Sequence, residues 1–210
     1  METTQFRTLH KKDFPQVRKL ISDIWNFERY TNNPKLLDVF AGSFLDVYLL
    51  NQNYTRVAVE NDKITGLLIG RCESLSVSRK PRYLFSLLKN LAYLHISKQG
   101  RRIASIQKRF AALSAKLFDE VDDTFDAELV LILTAPIARG RGIGKKLLYD
   151  FNAFLKAHGS HSVCLITDSF CNYRFYDRLG YTRAAASSGI TGAEPCEDSF
   201  TAFYLYTYQL

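Results

Sequence analysis

Apolar side chains recur along this chain at two spacings, and the spacings divide it into helices and strands. Residues 5–9 read as a short strand, and Val17, Leu20, Ile21, Ile24 and Trp25 then repeat at helical intervals behind Asp13, which stands as an N-cap with Gln16 three residues on. A second helix is predicted over about 34–50. Residues 55–60 and 64–71 are β-rich runs separated by Asn61, Asp62 and Lys63, which predicts a tight antiparallel hairpin. Two helical faces follow, one carried by Tyr83, Leu84, Leu87, Leu88, Leu91 and Leu94 and the other by Ile103, Ile106, Phe110, Leu113 and Leu117, with the junction expected near Gly100.

From residue 128 the pattern changes. Residues 128–133 form a run of the fully buried strand type, closed by Pro136, and a helix follows the glycines at 140, 142 and 144. Its inner face is Ile143, Leu147, Leu148, Phe151, Phe154 and Leu155, and Gly159 is placed to end it. Residues 162–166 are a second buried strand, parallel to the first because a helix separates them. A short helix around 172–178, a turn at Gly180 and strand-like runs at 181–185 and 200–209 complete the pattern. The fold class is therefore mixed α/β (α+β), a sheet flanked by helices, in one domain over 1–210, with 72–127 as a helical pair inserted between the third and fourth strands.

Composition narrows the function classes. The 210 residues are 47% hydrophobic and 23% charged, which suits a globular chain and excludes disordered, collagen-like and coiled-coil ones. No apolar run approaches the length of a membrane span, and the first residues lack a secretory pattern, so a cytoplasmic protein without a membrane partner is expected. Cys72, Cys164, Cys171 and Cys196 are scattered and read as free thiols, and His158 with His161 reads as a polar turn, so no metal is expected. The net charge of +7 is uneven: residues 71–110 hold ten basic side chains and only Glu73 as an acid. Asp119, Glu120, Asp122, Asp123, Asp126 and Glu128 follow directly, so the basic segment either pairs with this cluster or forms an anion-attracting rim.

The chemistry concentrates in Thr134-Ala135-Pro136-Ile137-Ala138-Arg139-Gly140-Arg141-Gly142-Ile143-Gly144-Lys145. A buried strand runs into a glycine loop that opens a helix, where free N–H groups and the helix dipole favour an anion, with Arg139, Arg141 and Lys145 adding positive charge. A phosphate-bearing ligand is expected. Lys146 stands where a P-loop needs Ser or Thr and Arg139 where it needs Gly; Lys145 stands where a dinucleotide fingerprint needs its third Gly.

The spacing Arg139, Gly142, Gly144, three residues past a proline and between strand and helix, resembles the coenzyme A signature of the GNAT superfamily of N-acetyltransferases. Phe175-Tyr176-Asp177-Arg178-Leu179-Gly180-Tyr181 is similar to that family's later motif. The resemblance implies acetyl-CoA as donor, its pyrophosphate on the amides of Gly140, Arg141, Gly142, Ile143, Gly144 and Lys145, and its pantetheine arm on the backbone of Ile132, Leu133 and Thr134. It implies Tyr176 as the acid that protonates the departing thiolate. Many members carry Asn seven residues before this Tyr; here Ser169 holds that place and Asn172 is the nearby amide, leaving either as the cofactor contact. Glu128, eleven residues before Arg139, occupies the position of the catalytic Glu in the protein-acetylating branch, with Glu73 and Asp168 as weaker candidates for base or amine recognition. Direct acetyl transfer to a primary amine is the implied reaction, its acceptor a small molecule or a protein, and homodimers are frequent among similar proteins. Two rivals remain at this level: an inactive sensor of acyl-CoA, and a nucleic-acid- or ribosome-associated protein using the basic segment, although no nucleic-acid motif appears and such a partner is not expected.

Overall fold

A computed structural model describes residues 4–77, 81–121, 124–169, 171–187 and 202–210. Strand β1 (Gln5–Arg7) leads through a 3-10 turn into α1 (Phe14–Ile24) and α2 (Pro34–Leu50). The hairpin β2 (Tyr54–Glu60) and β3 (Lys63–Cys72) follows, then the helical pair α3 (Pro81–Ile96) and α4 (Lys98–Asp119). After β4 (Ala127–Thr134) come α5 (Ile143–Ala157), β5 (Ser162–Asp168), α6 (Arg174–Asp177), β6 (Thr182–Ser187) and β7 (Phe203–Gln209). The expected mixed sheet with a helical pair between its third and fourth strands is what forms, in the order β1-β2-β3-β4-β5-β7-β6. Every neighbouring pair is antiparallel except β4 and β5. Of the residues singled out from sequence, Arg79, Lys80, Asp122, Asp123 and Cys196, and the first two positions expected in the last strand, lie outside the described residues.

The start of α1 differs from the sequence expectation. Asp13 already has helical backbone angles, so its carboxylate cannot fold forward onto the next turn. It reaches back instead, accepting from His10 N at 2.8 Å and from both terminal nitrogens of Arg7 at 2.7 and 2.9 Å. Gln16 is thereby released from capping and clasps the hairpin, donating to Asp62 O and accepting from Ile64 N, each at 3.0 Å. Asn33 does cap α2, accepting from Lys35 N and Leu36 N ahead of Pro34.

The hairpin turn is one residue tighter than expected, because Lys63 already pairs with Glu60. Asn61 and Asp62 both have positive φ, 47° and 59°, the two left-handed residues that a type I′ turn requires. Gly66 and Gly70 of β3 let α5 lie close on the sheet: a Cβ at Gly66 would come within 2.8 Å of Ile143, and one at Gly70 within 2.3 Å of Phe151.

Two expectations for the helical pair are corrected. The junction is Ser97, whose Oγ accepts from Gly100 N at 2.9 Å, and Gly100 lies inside the first turn of α4, where an added Cβ would stand 2.1 Å from the carbonyl oxygen of Leu94. The inner face of α3 buries Tyr83 and Leu94, with Leu87 and Leu91 half-buried, while Leu84 and Leu88 point outward. The rotation has a cause in α2. Its buried Asp46 needs donors, and α3 turns Asn90 to it at 2.9 Å, with Ser86 bonding to the same carboxyl.

Gly159, with φ of 77°, ends α5 as expected, with Ser160 N donating to Leu155 O and Gly159 N to Lys156 O in a Schellman pattern. The same pair of bonds recurs at Gly180, from Tyr181 N to Tyr176 O and from Gly180 N to Asp177 O. His158 bonds through Nδ1 to Phe154 O and stacks near that ring, so it belongs to the end of α5. Of the acidic cluster, Asp126 accepts from His161 N and Ser162 N, Glu120 pairs with Lys116 on its own helix, and Glu128 pairs with Arg71. Cys72 and Cys164 are buried free thiols, and Cys171 is a half-buried one.

Candidate active site

The sheet is interrupted between β4 and β5. A single registered pair, Glu128 with Cys164, joins them, and among the described residues no further ladder pair follows it toward Thr134. Below this rung Asp126 closes the strands, accepting from His161 N at 2.7 Å and Ser162 N at 3.0 Å. On its other edge β4 pairs with β3 throughout, with Val130 bulged where the register shifts between Leu129 and Leu131. Toward Thr134 the edge of β4 that faces β5 thus has no ladder partner, and the alternate residues of 132–134 that turn N–H and C=O to that edge are open to one.

That edge leads directly to the glycine loop. Gly140 and Gly142 have φ of 76° and 79°, conformations that side-chain-bearing residues rarely adopt, and a Cβ at either would meet nothing within 4 Å. Gly142 is the N-cap of α5 and supplies no side chain to its first turn, so the N–H groups of Ile143, Gly144 and Lys145 point out of the helix without intrahelical acceptors. Gly144 is constrained differently: a Cβ there would stand 3.2 Å from Thr134 Oγ1.

The three cations of this loop part company. Arg141 forms a two-pronged pair with the nearly buried Glu60 at the end of β2, at 2.9 and 2.8 Å, and Glu60 also accepts from Thr4. Its side chain thus has a scaffold partner while staying 43% exposed at the loop. Arg139 and Lys145 are exposed beside the loop, Lys145 over the ring of Tyr149.

The candidate base lies on β4 and the candidate acid on α6, the short helix that follows β5. Glu128 faces away from α5, because its partner Arg71 alternates with Gly70, and Gly70 packs on Phe151. Arg71 lies 3.2 Å from Glu128 and 2.6 Å from Glu73, so Glu73, the weaker candidate in the sequence, joins Glu128 around one guanidinium. Burial raises the Glu128 carboxyl above its ordinary range, Arg71 opposes that rise and Glu73 adds to it. A small cavity of about 160 Å³ opens beside this trio, closed by Phe118 and Phe125.

Tyr176 is buried on α6, its ring 5.7 Å from both Tyr181 and Tyr206. The Gly180 turn sets the first of these contacts. Burial raises the Tyr176 phenol strongly, with Cys171 and Asp168 contributing, so it holds its proton. Asp168 ends β5 and accepts from Cys171 N at 3.0 Å. The Cys171 thiol is pushed up to about 12, chiefly by burial, which leaves it protonated and a poor nucleophile. Ser169 uses its hydroxyl to accept from Ala202 N, whereas Asn172 is exposed at the mouth of α6.

One member of this group has no signal in the sequence. Tyr48 of α2 has its phenol raised chiefly by burial, with Cys171, Glu128 and Asp168 near enough to add to the rise. Nothing in the spacing of α2 separates it from core aromatics; only tertiary packing brings it here.

The model of the acetyltransferase (GNAT) family matches residues 14–181. No protein of curated function matches the chain by sequence. Among solved structures, an N-acetyltransferase from Staphylococcus aureus Mu50 is 16% identical, with 99% of this chain and 98% of that one covered and a TM-score of 0.56. Arabidopsis thaliana NAA60, solved with a bisubstrate analogue, is 14% identical, with coverage of 99% and 98% and a TM-score of 0.57. The ribosomal-protein-S18-alanine N-acetyltransferase of Escherichia coli is 13% identical, with coverage of 99% and 94% and a TM-score of 0.51. Each shares the fold.

Proposed function

The chain belongs to the GNAT family of acetyltransferases, and on that premise we propose that it transfers the acetyl group of acetyl-CoA directly to a primary amine, without a covalent enzyme intermediate. The observation that carries the proposal is the continuity of the unpaired β4 edge with the glycine loop and the uncapped N-terminus of α5. Such a path offers extended hydrogen bonding for a pantetheine arm and then a site for a pyrophosphate. The space over Gly140 and Gly142 is open, so the residues present fit the donor.

In this reading the amides from Gly140 to Lys145 bind the pyrophosphate, Arg139 and Lys145 lend charge, and Arg141 contributes only its main chain. The backbone of Ile132, Leu133 and Thr134 orients the pantetheine, and Asn172, exposed where Ser169 is engaged, takes the second cofactor contact. Acetyl-CoA supplies a thioester carbonyl open to attack by an amine. Glu128 takes the proton from the incoming ammonium at a carboxylate oxygen, a task its raised pKa favours. Tyr176 holds a proton at Oη for the departing sulfur. Glu73 and Glu128 bring two carboxylates to one guanidinium, which draws an ammonium group in spite of the basic surface elsewhere.

The testing experiment is calorimetric titration with acetyl-CoA, and in parallel with ATP and NAD. Binding of acetyl-CoA alone, lost in Gly142→Asp, followed by thiol release with an amine acceptor, is expected. Absence of acetyl-CoA binding overturns the proposal, and binding without thiol release across amine acceptors converts it to that of an acyl-CoA sensor.

A further inference from the structure

Helix α3 packs inward through Tyr83, Leu87, Leu91 and Leu94, yet it also carries large apolar side chains on its outer side. Its Ser86 and Asn90 face Asp46 of α2, while Leu84 is 49% exposed, Phe85 73%, Leu88 56% and Ile96 77%. Phe85, Leu88, Ala92 and Ile96 recur at intervals of three and four residues, so they line up as one ridge along the helix. Scattered exposed apolar residues are ordinary, whereas a contiguous exposed ridge marks a contact surface.

Charge identifies the contact. Lys89 is exposed next to Leu88, Arg82 is exposed while bonding to the Tyr83 hydroxyl, and α4, packed beside α3, leaves Lys98, Arg101 and Lys108 exposed, with Lys116 exposed and paired with Glu120. Together α3 and α4 carry eight Lys and Arg side chains and a single acid, Asp119, at the last position of α4. A symmetric second copy would bring these cations against one another. The ridge is also the convex face of a single helix, which offers a partner segment no groove. We propose that this face of α3 lies on an anionic lipid surface, with Phe85, Leu88 and Ile96 entering the acyl boundary and the flanking cations among the headgroup phosphates. No helix among the described residues is long and apolar enough to cross a membrane, and a helix lying in the interface needs no such span. The sequence expectation of no membrane partner rested on spanning segments and secretion signals, and neither bears on this mode.

Co-sedimentation of the full chain with vesicles of phosphatidylcholine, alone or mixed with phosphatidylglycerol, tests the proposal. Binding to the mixed vesicles that weakens as salt rises is expected. The double variant Phe85→Ser, Leu88→Ser should lose at least about tenfold in binding, while Tyr149→Ser, an exposed aromatic on α5, should bind like the parent. A Phe85→Trp variant, which keeps an aromatic at the site, should shift its emission to the blue with mixed vesicles. Absence of binding, undiminished binding of the double variant, or an unshifted emission of the Phe85→Trp variant overturns insertion of the ridge. A dimer of the parent chain that the double variant dissolves assigns the ridge to a second copy instead.

Discussion

Glu128 sits between neighbours that pull its pKa in opposite directions, and this makes its role measurable. Burial and Glu73 raise it, Arg71 lowers it, and the net direction is upward from 4.5. The folded state thus holds this proton more tightly than the unfolded chain, so its stabilising contribution is complete below the ordinary value and is lost as pH rises through the raised one. Turnover behaves inversely, since only the carboxylate accepts a proton. The acidic limb of kcat/KM should therefore lie above the ordinary glutamate range and disappear in Glu128→Gln. Arg71→Met should move it to higher pH and Glu73→Gln to lower pH, and a limb indifferent to both would remove Glu128 as base. Tyr176→Phe keeps the aromatic packing and deletes the proton, so kcat should fall about a hundredfold while acetyl-CoA affinity, read by calorimetry, stays within about twofold.

At the scale of elements, two turns carry predictions because their backbones are already decided. Asp62 holds a left-handed conformation and lends only its main-chain oxygen to Gln16, so Asp62→Gly should stabilise the fold by about 0.5–1 kcal/mol in chemical denaturation. Gly100→Ala should do the opposite, costing about 2–3 kcal/mol, because its Cβ meets the rigid carbonyl of Leu94 and parts α3 from α4. These elements also show what sequence discloses. Existence and type follow from periodicity: α2 spans the predicted 34–50, and Gly159 ends α5 where expected. Orientation does not, because Leu84 and Leu88 satisfy a helical spacing equally well on either side of α3, and a buried carboxylate on another helix chooses the side. For the same reason Asp13 and Gln16 fit a capping box in one dimension and serve Arg7 and the hairpin in three.

The whole molecule places the site along a long-range pairing that no local pattern encodes. The glycine loop, β4 and Tyr176 were readable because each lies within one continuous motif. The insertion of β7 between β5 and β6, and the electrostatic reach of Glu128 to the buried Tyr48 phenol, depend on segments far apart in the chain. A ligand that fills the β4–β5 gap should stabilise the native state, and at about one hundred times its Kd acetyl-CoA should raise the midpoint of thermal unfolding by about 5–10 °C, with ATP without effect. The single rung between Glu128 and Cys164 has a mechanical consequence as well. Four strands on one side and three on the other form two plates hinged at one end, and a load applied across the sheet concentrates at that hinge. A donor lying in the gap would act as a rivet between the plates, so the force needed to tear the molecule open would report whether the donor is in place.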